Sequence, residues 1–219
     1  MDIDRFKELP IMGILRGVKA GIIQPLAETV ISAGLKTIEI AMNSPDAAEL
    51  IKLLKDTAKE RLIIGAGTVL TMHDLHKALD SGATFIVMPT LVAAVCEYCT
   101  KNKIPVFPGA LTPQEIYNAW NAGATMVKIF PAKLFGPAYI KELKGPLPQI
   151  ELLACGGVGP ENIQSFFSSG ASAVAFGSSL FRKDWLSKRD FSSIEKNLKA
   201  LIAAFRDKSR QEPHLIRKI

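Results

Sequence analysis

Two charged residues stand where the surrounding chain is apolar. Lys128 lies inside Met126-Val127-Lys128-Ile129-Phe130, and Glu39 lies inside Thr37-Ile38-Glu39-Ile40. A charge within an apolar run is costly unless it is paired or used. Strand alternation puts Met126, Lys128 and Phe130 on one face and Val127 and Ile129 on the other. If the β-branched residues face covering helices, Lys128 points to the opposite side, and the same argument turns Glu39 inward. Desolvation favours the neutral form of an amine, and a neutral amine adds to a ketone. A neighbouring carboxylate can shuttle the protons that such chemistry needs. The plainer readings are a lysine whose ammonium reaches the rim and a simple ion pair of Glu39 with Lys128 or Arg16. Lys133 is the rival nucleophile, but it follows Pro131 off the apolar run and reads as a rim residue.

Other polar residues sit at the ends of apolar runs. Arg16 follows Ile11-Met12-Gly13-Ile14-Leu15 and could grip a carboxylate through two parallel hydrogen bonds, or be a surface arginine. Asn43 follows the Glu39 run; it could touch a ligand or belong to the cap region of a helix starting near Asp46. In GAGTVL (65–70) the glycines admit a ligand to the backbone and Thr68 offers a hydroxyl, although Thr68 or Thr71 could equally cap the next helix. Two glycine-rich stretches follow later runs, ACGGVGPEN (154–162) and FGSSLF (176–181). Backbone N–H groups at such turns bind phosphate without a charged side chain, which makes Gly156, Gly157, Gly177 and Ser178 phosphate candidates. Tight strand-to-helix turning is the alternative use of the same glycines.

The elements that must position these residues alternate in type. Strand candidates are 11–15, 37–40, 62–67, 84–88, 105–109, 125–130, 150–154 and 173–177, with helical stretches between them. Several helices close on a glycine just before a strand, as in SAGLKTIEI and NAGATMVKI, where glycine supplies the left-handed cap. Strands alternating with helices imply a parallel sheet. Eight regular units with no second compositional zone favour a single-domain (β/α)₈ TIM barrel, with its strands and helices over about 8–182. The Gly-x-Gly-x-x-Gly of a dinucleotide fold is absent after the first strand, where Arg16-Gly17-Val18 stands instead. Residues from about Ser192 to Arg206 read as an amphipathic helix with Ile194, Leu198, Leu201, Ile202 and Phe205 on one side. The last residues, about 207–219, read as a flexible tail.

Composition bounds the rest. A chain of 219 residues, 48% hydrophobic and 22% charged, is an ordinary globular one. No apolar stretch is long enough for a membrane span, and the acidic start MDIDRFKELP does not read as a signal peptide, so a cytoplasmic location is expected. The net charge of +6 gathers toward the C-terminus, as a solvated face does, and it also draws small anionic ligands. Nucleic acid is not expected as a partner. Cys96 and Cys99 form a C-x-x-C within a predicted helix, without a second pair or a nearby His to complete a metal set. His73, His76 and His214 form no such set either, so neither metal nor cofactor is expected.

ILRG, IEIAMNSP, GAGTVL, MVKIFPAKLFGPAYIKEL, GGVGPEN and FGSSLF, in this order from about residue 8 to 182, resemble the KDPG/KHG aldolase family. The closest likeness is to the 2-dehydro-3-deoxy-6-phosphogalactonate aldolase branch. The resemblance implies a metal-free class I aldolase that cleaves a 2-keto-3-deoxy-6-phospho sugar acid to pyruvate and glyceraldehyde 3-phosphate. Lys128 matches the Schiff-base lysine, Glu39 the general acid/base and Thr68 a substrate-binding threonine. Gly156, Gly157, Gly177 and Ser178 fall at the family's phosphate site. A homotrimer is implied. The phosphogluconate branch carries an arginine at the position of Asn43. The phosphogalactonate branch carries asparagine there and an arginine at the position of Arg16. Cys155 departs from a threonine that many members have before the two glycines. The alternatives are a 4-hydroxy-2-oxoglutarate or unphosphorylated 2-keto-3-deoxy acid aldolase, a phosphosugar isomerase or epimerase, and a non-catalytic phosphosugar-binding protein.

Overall fold

The structure is a computed structural model that describes residues 1–207. The strands are β1 Ile11–Leu15, β2 Thr37–Ala41, β3 Ile63–Gly67, β4 Ile86–Val87, β5 Val106–Phe107, β6 Gly109–Ala110, β7 Val127–Ile129, β8 Leu152–Cys155 and β9 Ala173–Phe176. All pairings are parallel, in the order β5-β4-β3-β2-β1-β9-β8-β7-β6. β5 and β6 are two pieces of the single strand expected at 105–109. Pro108 stands between them; it has no N–H to donate to a ladder, and it divides the strand. Val106–Phe107 pairs with β4, while Gly109–Ala110 pairs with β7. The split strand therefore joins the two ends of the sheet and closes the barrel.

Between the strands run α2 Ile23–Ser32, α3 Ala47–Ala58, α4 Met72–Asp80, α5 Ala93–Lys101, α6 Pro113–Asn121, α7 Gly136–Lys144, α8 Ile163–Ser168 and α9 Lys183–Lys188. Their starts follow local chemistry. Thr71 caps α4 by accepting the Asp74 N–H at 3.0 Å. Thr112 and Glu115 form a reciprocal capping box on α6, with proline in its first turn. α10, Phe191–Arg206, is the expected amphipathic helix; it buries Ile194, Leu198, Leu201 and Ile202, and Phe205 packs on Phe167 with ring centroids 4.8 Å apart. The tail expected from about 207 lies, apart from Asp207, outside the described residues. Among the described residues no helix is long and apolar enough to cross a membrane.

Apolar residues divide into two layers. Val127, Ile129, Ile38 and Ile40 join the larger cluster between strands and helices. Met12, Ile63, Phe85, Phe107, Met126 and Leu153 fill the barrel interior. A short first helix, α1 Ile3–Glu8, which the sequence reading lacked, seals the lower end. It inserts Phe6, fully buried, whose ring meets Phe107 edge-on at 6.2 Å; Phe85 meets Phe107 likewise at 5.8 Å. The opposite end, where the strands finish, carries the polar residues.

Candidate active site

Lys128 and Glu39 point into the barrel, as alternation requires. They are 5% and 1% exposed, and they are the two charged side chains buried among the described residues. Glu39 stands in register with Ile14 on one side and Gly65 on the other. Its carboxylate leans over Gly67: a Cβ there would lie 2.2 Å from Glu39 Oε1. Only a glycine at the end of β3 leaves that space. Glu39 Oε2 is buried without a hydrogen-bond partner, and so is Thr37 Oγ1 on the same face. Burial pushes the Glu39 carboxyl above the usual carboxylate range, against the opposing pull of the Lys128 and Arg16 charges.

Lys128 is in register with Gly109 and Leu153. Its Nζ lies 5.1 Å from the centroid of the Phe130 ring. Cys155, the next inward residue above Leu153, lies close to Lys128 and feels the charges of Lys128, Glu39 and Arg16. Burial pushes the Cys155 thiol up, and the nearby Lys128 charge opposes this. Lys133, by contrast, is exposed on a 3₁₀ turn, Ala132–Leu134, and takes no part in this cluster.

Above the pair opens a cavity of about 280 Å³ at the strand ends, lined by Ile14, Arg16, Phe130, Cys155, Gly156, Gly177, Ser178, Phe181 and Lys183. Lys128 and Glu39 lie beneath it, linked to it through Cys155, Phe130 and Arg16. Arg16 donates to Thr68 Oγ1 at 3.1 Å, which carries its guanidinium across the end of β2 toward β3. Thr68 has φ +56, a left-handed conformation that a β-branched residue adopts at a cost of about 1–3 kcal/mol. Its role as a helix cap falls to Thr71. Asn43 is exposed, lies outside the cavity lining, and makes no hydrogen bond among the described residues. Its neighbour Ser44 accepts the Gly17 N–H at 2.9 Å and joins the first two loops.

The phosphate candidates separate into two kinds. Gly156, Gly177 and Ser178 line the cavity. Gly157 does not; its φ is +77, and a Cβ there would lie 2.6 Å from Lys133 Cβ, so packing and backbone shape explain it. Asn162 shapes the same loop: its Oδ1 accepts the Gly159 N–H at 2.9 Å and its Nδ2 donates to the Gly157 carbonyl at 2.8 Å. Ser179 donates its hydroxyl to the Val158 carbonyl at 2.8 Å, which fastens the two glycine-rich loops together.

The sequence reading missed Lys183 and the seating of Cys155 against Lys128. Lys183 carries only a weak signal, a cation just past the glycine-rich end of the last strand. Cys96 and Cys99 are buried in α5; burial pushes the Cys99 thiol to about 12, and Cys96 donates to the Ala122 carbonyl at 3.3 Å. They pack. Among the described residues no group of three or more His, Cys, Asp or Glu side chains could hold a metal ion.

The family model for KDPG and KHG aldolase matches residues 3–197. The chain belongs to the KDPG and KHG aldolase family. It is 37% identical over 176 residues to the 2-dehydro-3-deoxy-6-phosphogalactonate aldolase of Escherichia coli, covering 80% of this chain and 86% of that one. It is 32% identical over 201 residues to the 2-dehydro-3-deoxy-phosphogluconate aldolase of Haemophilus influenzae, covering 91% and 94%. Among solved structures it resembles the KDPG aldolase of Legionella pneumophila, crystallised with pyruvate as a covalent carbinolamine intermediate. That match has a TM-score of 0.81 at 25% identity and covers 88% of this chain and 93% of that one. The eight-stranded barrel anticipated from the sequence is thus the architecture of this aldolase family, and the chain is a lyase of aldolase type.

Proposed function

We propose that this aldolase works through a Schiff base on Lys128, with Glu39 as the proton-transfer group. We further propose that its substrate is a 2-keto-3-deoxy-6-phospho sugar acid of the phosphogalactonate or phosphogluconate type. The observation that carries this reading is the buried pair: an amine and a carboxylate, desolvated together beneath an open cavity. Two ionisable groups buried so close together are expensive as a structural device. As a reactive device the pair has a purpose, because burial raises the proton affinity of the carboxyl and the amine lies beside Phe130 and Cys155, which line the cavity.

The Lys128 amine adds to the C2 carbonyl to give a carbinolamine, which loses water to form a protonated imine. Glu39 takes the proton of the C4 hydroxyl. The C3–C4 bond breaks, its electron pair moves to the imine nitrogen, and glyceraldehyde 3-phosphate departs as the aldehyde. Glu39 returns its proton to C3 of the enamine, and water hydrolyses the imine to release pyruvate. The carbinolamine trapped in the Legionella relative supports the first step. Arg16 and Thr68, joined to each other, are proposed to hold the carboxylate end, with Asn43 at the rim beside them. Gly156, Gly177 and Ser178 are proposed to hold the phosphate end, with Gly157 supporting the turn. Remote binding energy then orients the reacting carbons.

The test is reduction with borohydride in the presence of pyruvate. The expected result is a reduced adduct on Lys128 alone, read by peptide mass spectrometry. An adduct on Lys133, or none, rejects the proposed nucleophile. Isomerases and epimerases on the same scaffold form no imine, so the experiment also separates those readings. Pyruvate release from the two phosphorylated epimers, from their unphosphorylated forms and from 4-hydroxy-2-oxoglutarate then fixes the substrate. EDTA is expected to leave the rate unchanged, since the proposed electron sink is the imine. A homotrimer is proposed as well, supported by two exposed apolar side chains after β7, Leu134 and Phe135.

A further inference from the structure

Lys183 opens α9, just beyond the loop that holds Gly177 and Ser178, and its side chain lines the cavity. Asp184, the carboxylate next to it in the chain, does not neutralise it. Asp184 is already taken, because Arg182 donates Nε to Oδ1 and Nη2 to Oδ2, both at 3.0 Å. Lys183 therefore faces the cavity with no hydrogen bond or ion pair among the described residues. The other cation of the lining, Arg16, is drawn the opposite way, toward Thr68 beyond β2. The two charges so divide the mouth: guanidinium over the β2–β3 side, ammonium over the β8–β9 side.

We infer that Lys183 is a specificity-determining residue, which pairs with the terminal phosphate and sets the preference for phosphorylated over unphosphorylated 2-keto-3-deoxy acids. This rests on the phosphate reading above and adds a side chain to it. The backbone N–H groups around Gly156, Gly177 and Ser178 give direction to a phosphate but carry no net charge. A cation beside them adds charge compensation for the dianion, and a lysine acts there as a point charge. Because the loop contacts to the phosphate remain to orient the reacting carbons, the charge of Lys183 adds a contact that is equal in ground and transition states. It should therefore act on KM and not on kcat.

The experiment compares wild type, Lys183→Met and Lys183→Arg on a phosphorylated 2-keto-3-deoxy acid and on its unphosphorylated form. Lys19→Met serves as a control, since Lys19 lies on an adjoining basic cleft of about 510 Å³ that Lys183 also borders. For Lys183→Met, KM for the phosphorylated substrate is expected to rise about tenfold, the usual worth of one charge-assisted contact, with kcat within a factor of about two. KM for the unphosphorylated substrate should not move. Inorganic phosphate should weaken as a competitive inhibitor in the same ratio, and Lys183→Arg should restore most of the loss. Equal losses on both substrates, an unchanged KM, or an equal effect of Lys19→Met overturns the assignment. A wild-type enzyme indifferent to the phosphate removes the phosphate reading itself, and that outcome is visible before any variant is made.

Discussion

Burial raises the proton affinity of Glu39, which suits the proton-carrying role proposed for it. Desolvation raises it more than the Lys128 and Arg16 charges lower it. In the proposed cleavage the base form of Glu39 takes the C4 hydroxyl proton. Turnover should therefore fall as the pH drops through that raised value, with an acid limb above the normal carboxylate range. Glu39→Gln should erase the limb and cost about 10²–10⁴ in turnover, while pyruvate trapping at Lys128 persists. A kcat–pH profile of both proteins checks this. Cys155 lies close to the same amine. Its replacement by serine keeps an acceptor for Lys128, whereas valine removes it, so imine formation in stopped-flow should slow in the valine variant and survive in the serine one. Lys128 and Glu39 were legible in the sequence because each is a lone charge between β-branched residues. The seating of Cys155 was not, because the pairing of β7 with β8 depends on barrel stagger that no local sequence encodes.

Elements were legible to the extent that their signals are local. The strands were placed by apolar runs and closing glycines, but the run 105–109 was read as one strand and the break at Pro108 was not foreseen. Thr112-Pro113-Gln114-Glu115 spells out a helix start. α1 escaped because a six-residue helix offers one turn and one large buried side chain, Phe6, which is no periodicity at all. The uses of the glycines were only partly readable. Gly157 reads like a ligand glycine yet packs on Lys133, while Gly67 makes way for a carboxylate. Gly67→Ala should accordingly lower turnover at least tenfold, since its methyl would occupy the place of Glu39 Oε1, with the far-ultraviolet circular dichroism spectrum unchanged. A variant with full activity would mean that Glu39 can work from another position.

For the molecule as a whole, the Phe6 plug and the proposed site lie at opposite ends of the barrel. Phe6→Ala should cost about 3–5 kcal/mol in urea unfolding, as for other large buried aromatics, with kcat at saturating substrate nearly unaffected. Association should depend on the apolar group after β7. Sedimentation is expected to give the mass of a trimer, and Leu134→Lys to shift it toward the monomer. The oligomer could not be read from periodicity, since a helix or turn that meets a second copy looks no different in sequence from one that meets solvent.

Phe6 stoppers the floor of the barrel, so in the proposed cleavage both fragments would leave through the cavity at the strand ends. In the proposed cleavage the three-carbon keto acid is tethered to Lys128 at the bottom of the site, with the aldehyde fragment between it and the strand ends. Departure is therefore a queue: the outer fragment goes first, and in the condensing direction the keto acid must enter first. Pyruvate should then compete directly with substrate for the empty enzyme, whereas glyceraldehyde 3-phosphate should engage only a chain already loaded at its base.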